Sequence, residues 1–363
     1  MAADCPHAIQ RPWVQAAWAL VAVALACSAA ACSGSRPSGA ADAAYSSAAA
    51  GPSAAQPGDS GAAAAPPAAQ TGGFDGTRAW KYLETIVGFG PRPPASANIH
   101  REQKYLASQL RSFGCHVSTD EFHAQTGVGP LAMENIVAEI PGKNPGIILL
   151  LSHYDTVRLA GFVGANDGGS STAILLEIAH DLCGRPGPLG VWIAFLDGEE
   201  EQTNFTSEYQ AQTTWTANNN TYGSRELAAR MDLSGDLKNV KALMLSDMDG
   251  DSDLHIMRDS TSTPWLENLV WSVANRLGYS RYFLSSPMSV TDDHTPFLQK
   301  GVPAVDLIGN IGPITPEASF GIYWHTLQDN LEHCSAHSLA VTGHVFLATI
   351  QALDDKFAPA HHR

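Results

Sequence analysis

The chain has 363 residues and a formal charge of −15, from 36 acidic against 21 basic side chains. That balance excludes nucleic acid or an anionic lipid surface as the main partner, because both reward a basic face, and it suits a small cationic or peptide substrate. The length allows one large domain or two small ones, and the composition changes only once, near Phe74.

The first segment, Met1 to Gly73, has almost no charge after Arg11 and is dominated by Ala, Ser, Pro and Gly. Arg11, the apolar run Trp13 to Cys27 and the small residues Ala29-Ala30-Ala31-Cys32 form a secretory-signal pattern. The apolar run is shorter than the ~20 residues of a membrane span. Because a cysteine closes the small-residue stretch and Ser33-Gly34-Ser35 follow, residues 1–32 resemble a bacterial lipoprotein signal; cleavage at Cys27 or ordinary secretion stays open. Residues 33–73 are expected to be a flexible tether, too poor in large apolar groups to build a core. The expected location is the bacterial cell envelope or periplasm, with an N-terminal lipid as the only membrane contact. Of six cysteines, Cys115, Cys183 and Cys334 fall in the folded part. An odd, widely spread set is not a disulfide framework, although one pair could form in an oxidising compartment.

From Phe74 the periodicity predicts helices over Thr77 to Ile86 and Asn98 to Phe113, separated by the breaker Gly88-Phe89-Gly90-Pro91-Arg92-Pro93-Pro94. Val117 to His123 and Glu134 to Ile140 read as an antiparallel pair at a sheet edge. Buried β runs then alternate with helices: strands Ile147 to Ser152, Gly190 to Leu196, Val240 to Ser246 and Ala304 to Ile308; helices Ser171 to Leu182, Ser224 to Met231, Pro264 to Leu277 and Ser335 to Leu353. The expected fold is a single α/β domain, residues 74–363, with a mixed, mainly parallel central sheet flanked by helices. Ligands of such sheets collect beyond the carboxyl ends of the strands.

Polar clusters stand at those ends. Ile147-Leu151 runs into Ser152-His153-Tyr154-Asp155, a histidine with a carboxylate two residues on, which suits a metal ligand and its orienting partner as well as it suits a capped surface histidine. The turn Gly164-Ala165-Asn166-Asp167-Gly168-Gly169-Ser170 holds Asp167 at a helix start and has no Lys or Arg for a phosphate. Six apolar residues lead into Asp197-Gly198-Glu199-Glu200-Glu201, where adjacent glutamates can divide zinc chemistry, one ligating and one carrying protons. Ser246-Asp247-Met248-Asp249-Gly250-Asp251 lacks the distal glutamate of a calcium loop. Thr291-Asp292-Asp293-His294 and Trp324-His325-Thr326 complete the series. Carboxylates and imidazoles without a thiolate favour Zn²⁺, with manganese or cobalt as alternatives.

Taken together, His153-x-Asp155, Asp167, Glu199-Glu200, Asp247 and His325 resemble the ligand series of the zinc aminopeptidases related to bacterial leucyl aminopeptidase. Trp215, Tyr222-Gly223-Ser224-Arg225, Asp292-Asp293-His294-x-Pro296-Phe297 and Phe320 with Trp324-His325-Thr326-x-x-Asp329-Asn330 shift the resemblance to glutaminyl-peptide cyclotransferases. The chain departs from that family in its peptidase-like turn, in an insertion over Glu201 to Thr214, and in Ser152, which stands where animal cyclases have a disulfide cysteine.

The resemblance implies a zinc exopeptidase-like fold, with one Zn²⁺ on Asp167, Glu200 and His325. His153 and Asp247 are left for a second ion or for supporting the first. It implies Glu199 as proton carrier, Asp247 and Asp292 as hydrogen-bonding catalytic groups, and Trp215, Phe320 and Trp324 as pocket walls. The implied substrate is the N-terminus of a peptide or protein: glutamine cyclised to pyroglutamate with loss of ammonia or, in an aminopeptidase, a cleaved N-terminal bond. A catalytically dead binding lipoprotein on the same fold is the third reading.

Overall fold

The computed structural model describes residues 73–216 and 218–357, so the expected export signal and nearly all of the tether lie outside it. Two helices open the described domain, α1 (Gly76–Val87) and α2 (Ala97–Ser112). Asp75 caps the first by accepting from the amides of Thr77 and Arg78, and Ser96 caps the second by accepting from Ile99. The proline-rich breaker lies between them. The hairpin β1 (His116–Thr126) and β2 (Gly129–Ile140) follows.

Next come β3 (Ile147–His153), the turn Ala165–Ser170, α3 (Ser171–Leu182), β4 (Gly190–Leu196), α4 (Glu208–Thr213) and α5 (Tyr222–Ser234). The remainder is β5 (Val240–Asp247), β6 (Ile256–Asp259), α6 (Pro264–Arg276), β7 (Phe283–Met288), α7 (Thr295–Leu298), β8 (Ala304–Ile308) and α8 (Ala336–Phe357). The eight strands form one sheet in the order β1-β2-β4-β3-β5-β8-β6-β7. At its centre β4, β3, β5 and β8 are parallel, whereas β2 pairs antiparallel with β4 and β6 antiparallel with β8.

Every residue of β3 is buried, because helices cover both faces of the sheet. Ile148 and Leu150 pack into the core that holds Leu83 of α1, Ile174 of α3 and Val345 of α8. Leu149 and Leu151 pack on the other face, with Leu227 and Met231 of α5 and Phe297 of α7. This two-residue alternation puts hydrophobic payload on both faces and leaves only the strand ends for chemistry. The apolar α8 would pass for a membrane span by length and composition, yet most of it is buried inside the domain as a core helix.

The sequence expectations for the central strands and main helices hold to within a few residues. The structure adds β6, β7, α4 and α7, which are short and carry no apolar periodicity of their own; β7, for instance, contains Ser285-Ser286-Pro287. It also resolves the cysteines. Cys115, just past α2, is bonded to Cys183, just past α3, across 68 residues, and Cys334 is a buried free thiol. Closing a loop of that length removes about 4 kcal/mol of unfolded-chain entropy.

One buried cation ties the N-terminal helices to the rest. Arg92 is 0% exposed and pairs with Glu102 of α2 at 2.8 Å. It also donates to the carbonyls of Val163 (2.6 Å) and Gly164 (3.1 Å), at the entrance to the Asp167 turn.

Candidate active site

The parallel strands deliver their carboxyl ends to one rim of the sheet. His153 is the last residue of β3, Asp247 the last of β5, and Glu199 and Glu200 follow β4. His325 arrives from the long connection between β8 and α8. Asp167 sits in the middle: His153 Nε2 lies 3.2 Å from its Oδ1, and His325 Nε2 lies 3.4 Å from its Oδ2. His153 Nε2 also lies 3.1 Å from Asp247 Oδ1, and His325 Nε2 lies 3.2 Å from Glu200 Oε2. Two imidazole–carboxylate groups therefore share one aspartate, His325 with Glu200 on one side and His153 with Asp247 on the other.

The backbone of the turn explains how Asp167 reaches this position. Gly168 has a φ of +80°, and a Cβ there would lie 2.7 Å from the Asp155 carbonyl oxygen. The amides of Asn166 and Asp167 donate to the two carboxylate oxygens of the buried Asp329, at 2.7 and 3.0 Å. The motif residue Asp329 thus shapes the turn and does not enter the cluster. Asp155 stands beside the cluster without a hydrogen bond to the histidine: its Oδ1 lies 3.6 Å from His153 Nδ1, which has no partner, and accepts instead from the Glu199 amide at 3.0 Å.

The electrostatics fit a cation. All five side chains are buried, and among the described residues none of the three carboxylates pairs with lysine or arginine. Burial works against the charge of Asp167, but hydrogen bonds from His153 and His325 win and hold it well below the usual carboxylate range. Burial and the neighbouring charge of Asp167 push Glu200 up to about 7, and Glu200 Oε1 has no hydrogen-bond partner. A buried lone pair left over beside two imidazoles is what a metal ion removes. His153, Asp167 and Glu200 offer ligand atoms all within 4.8 Å of one another. This group can hold a metal ion, and His325 and Asp247 border it, within 3.4 Å of Asp167 and 3.1 Å of His153 respectively.

Beside the cluster opens a cavity of about 280 Å³, lined by Glu199, Asp247, Asp292, Trp215, Phe320 and Trp324 among others. Every catalytic and pocket residue expected from sequence therefore faces one space. Trp324 stacks on the His325 ring at a centroid distance of 3.8 Å and contacts Phe320 at 5.1 Å. Trp215 stands at the mouth and is 58% exposed, so it forms part of the rim and does not enclose the pocket. Burial, then the charge of Asp292, raises Glu199 well above the usual carboxylate range; burial, then Asp247, pushes Asp292 up to about 7.

Sequence reasoning missed the layer beneath. Asp306 is a carboxylate in the middle of the apolar strand β8, 0% exposed, and neither of its oxygens has a hydrogen-bond partner. His294 lies between it and Asp259, with Nδ1 3.7 Å from Asp306 and Nε2 3.2 Å from Asp259. This second histidine–carboxylate group is built differently from the first. Asp259 is already occupied by donors from the Thr261 amide and hydroxyl, the Ser262 hydroxyl and the Val290 amide, so it braces the 259–262 turn and orients His294. A lone aspartate inside Ala304-Val305-Asp306-Leu307-Ile308 was the signal that could have revealed this layer.

A parallel α/β sheet whose strand ends gather two histidines around shared carboxylates defines a class, the metal-dependent exopeptidase-like enzymes. The model of "Peptidase family M28" matches residues 135–350. The glutaminyl-peptide cyclotransferase-like protein of Bos taurus is 31% identical over 312 residues, covering 76% of each chain. The glutaminyl-peptide cyclotransferase of Drosophila melanogaster is 28% identical, covering 70% of this chain and 76% of the relative. Among solved structures, a glutaminyl cyclase from an Acidobacteriales bacterium superposes with a TM-score of 0.71 at 36% identity, over 83% of this chain and all of that one. A zinc-dependent exopeptidase from Parabacteroides distasonis superposes with a TM-score of 0.69 at 28% identity, over 76% of this chain and 98% of that one. The chain belongs to peptidase family M28, and these relatives place it with the glutaminyl-peptide cyclotransferases of that family.

Proposed function

We propose that this enzyme is a glutaminyl-peptide cyclotransferase, converting the N-terminal glutamine of peptides or proteins to pyroglutamate with release of ammonia. The observation that carries the reading is the single cavity onto which Glu199, Asp247, Asp292 and the aromatic groups open beside the Asp167–Glu200–His325 cluster. One zinc ion held by those three residues would act as a Lewis acid on the γ-carbonyl of the glutamine. Glu199 accepts a proton from the neutral α-amine as its nitrogen bonds to the γ-carbonyl carbon, and returns it to the amide nitrogen as the carbon–nitrogen bond breaks and ammonia leaves. A carboxylate whose hold on a proton is strengthened by burial and by the charge of Asp292 is suited to both halves of that exchange. Asp292 and Asp247 hydrogen-bond the reacting nitrogen and Glu199. Phe320 and Trp324 wall the pocket against water, the competing nucleophile, and Trp215 stands at its rim.

Water admitted to the same groups would instead cleave an N-terminal peptide bond. The specific feature favouring this aminopeptidase reading is the second set, His153 and Asp247, 3.1 Å apart and sharing Asp167, where a second zinc could sit. Residues 1–32 would direct export and supply a lipid anchor, and 33–73 would serve as tether. The Cys115–Cys183 bond supports an oxidising compartment, since such bonds are rare where thiols are kept reduced.

The test is to incubate the purified protein, with and without added zinc, with Gln-peptide and Leu-peptide amides and to follow the products by mass. Zinc-dependent loss of ammonia from the Gln-peptide, with the Leu-peptide untouched, is expected. Release of free glutamine or leucine would replace the cyclase reading with the aminopeptidase one.

A further inference from the structure

The segment that follows the glutamates is anchored at both ends. Glu201 draws both ends of it together: its oxygens accept from Thr203 Oγ1 at 3.0 Å, Asn219 Nδ2 at 3.3 Å and the Thr216 amide at 2.5 Å. Within it, Phe205 and Ala211 pack on Val157, Leu159 and Phe162, and Phe162 in turn stands edge-on to the His325 ring at 6.1 Å. The short helix α4 is thereby seated against the segment that carries His325.

Three hydrogen bonds join the two. Glu208 Oε1 accepts from the Leu327 amide at 2.8 Å, Gln212 Nε2 donates to the Trp324 carbonyl at 2.8 Å, and the Ala211 carbonyl lies 2.8 Å from His325 Nδ1. Ala211 falls in the last turn of α4, where carbonyls have no partner within the helix and are free to accept from outside. A carbonyl can only accept, so His325 carries its proton on Nδ1 and presents the Nε2 lone pair to Asp167 and Glu200. His325 also holds a φ of +54°, in the left-handed region that residues other than glycine visit uncommonly.

We infer that helix α4 is a clamp for the metal site, and that Glu208 and Gln212 are positioning residues that hold His325 in its tautomer and backbone conformation. This rests on the proposal that Asp167, Glu200 and His325 bind zinc, and it goes beyond it by giving α4 a task. Orienting partners of a ligating histidine typically change metal affinity by about 10–100-fold.

The experiment compares the wild-type protein with Glu208→Ala/Gln212→Ala and with Glu208→Gln, which keeps an acceptor oxygen. Zinc release to an excess of chelator is timed, and the visible spectrum of the cobalt-substituted protein is recorded. The double alanine variant should release zinc about tenfold faster and show an altered cobalt spectrum, with its thermal unfolding transition kept; Glu208→Gln should behave as wild type. An unchanged release rate and spectrum in the double variant would overturn the clamp, as would a wild-type protein that retains no zinc. Faster release without any cyclase activity in the wild type would leave the clamp standing and remove only the proposed reaction.

Discussion

Replacing Gly168 with alanine tests whether the backbone of the Asp167 turn is shaped for the site, and Gly184→Ala supplies the control. Both glycines are left-handed, with φ of +80° and +77°. Alanine costs about 1–2 kcal/mol at either position for that conformation alone. At Gly184 the new methyl meets nothing within 4 Å, whereas at Gly168 it lies 2.7 Å from the Asp155 carbonyl oxygen and 3.2 Å from His153 Cε1. Relieving such overlap in a packed interior costs a further ~1–3 kcal/mol and must displace Asp155, His153 or the turn. The expected losses of stability are therefore about 2–5 kcal/mol for Gly168→Ala and about 1–2 kcal/mol for Gly184→Ala, measured by urea unfolding. Only Gly168→Ala should also weaken zinc retention and turnover. Equal losses in the two variants, or a Gly168→Ala protein with wild-type turnover, would refute the reasoning.

Two further outcomes are expected. Glu199→Gln keeps the shape of the pocket but loses the proton carrier, so kcat for a Gln-peptide should fall about 10²–10⁴-fold with little change in bound zinc; turnover within fivefold of wild type would remove Glu199 from the mechanism. Burial, then the charges of Asp292, Asp247, Asp259 and Asp249, raises Asp306 well above the usual range. Between the unfolded value of ~3.8 and its raised folded value, the folded form therefore binds more protons at this site than the unfolded form, and its contribution to stability declines as pH rises through that window. Asp306→Asn should flatten the decline between pH 5 and pH 8 in urea unfolding, and an unchanged slope would show that Asp306 does not titrate as its surroundings dictate.

Strands β3, β4 and β5 were legible because each is a run of buried apolar residues closed by carboxylates or histidine, and that contrast survives in one dimension. So were the residues of the candidate site: Asp167, Glu199, Glu200, Asp247 and His325 each follow a strand or occupy its facing loop. What sequence hid is what a partner makes meaningful. The carbonyl of Ala211 has no side-chain signature, and α4 grew from a polar stretch with no periodicity. Cys115 and Cys183 look unrelated until α2 and α3 are packed side by side. Asp259 carries no motif of its own, and the place of His294 between it and Asp306 shows only in the folded chain.

The reach of Arg92 sets a limit on how far this enzyme can be trimmed. The family match begins at Asn135, well after α1, α2 and the guanidinium that holds the Val163 and Gly164 carbonyls. A fragment cut at that boundary would keep every proposed zinc ligand, yet leave two carbonyls at the entrance to the Asp167 turn without their donor and expose the face of α3 that packs on α1. The smallest piece able to carry the chemistry therefore starts before α1, and the first sixty residues of the folded domain are part of the catalyst although none of them faces the cavity.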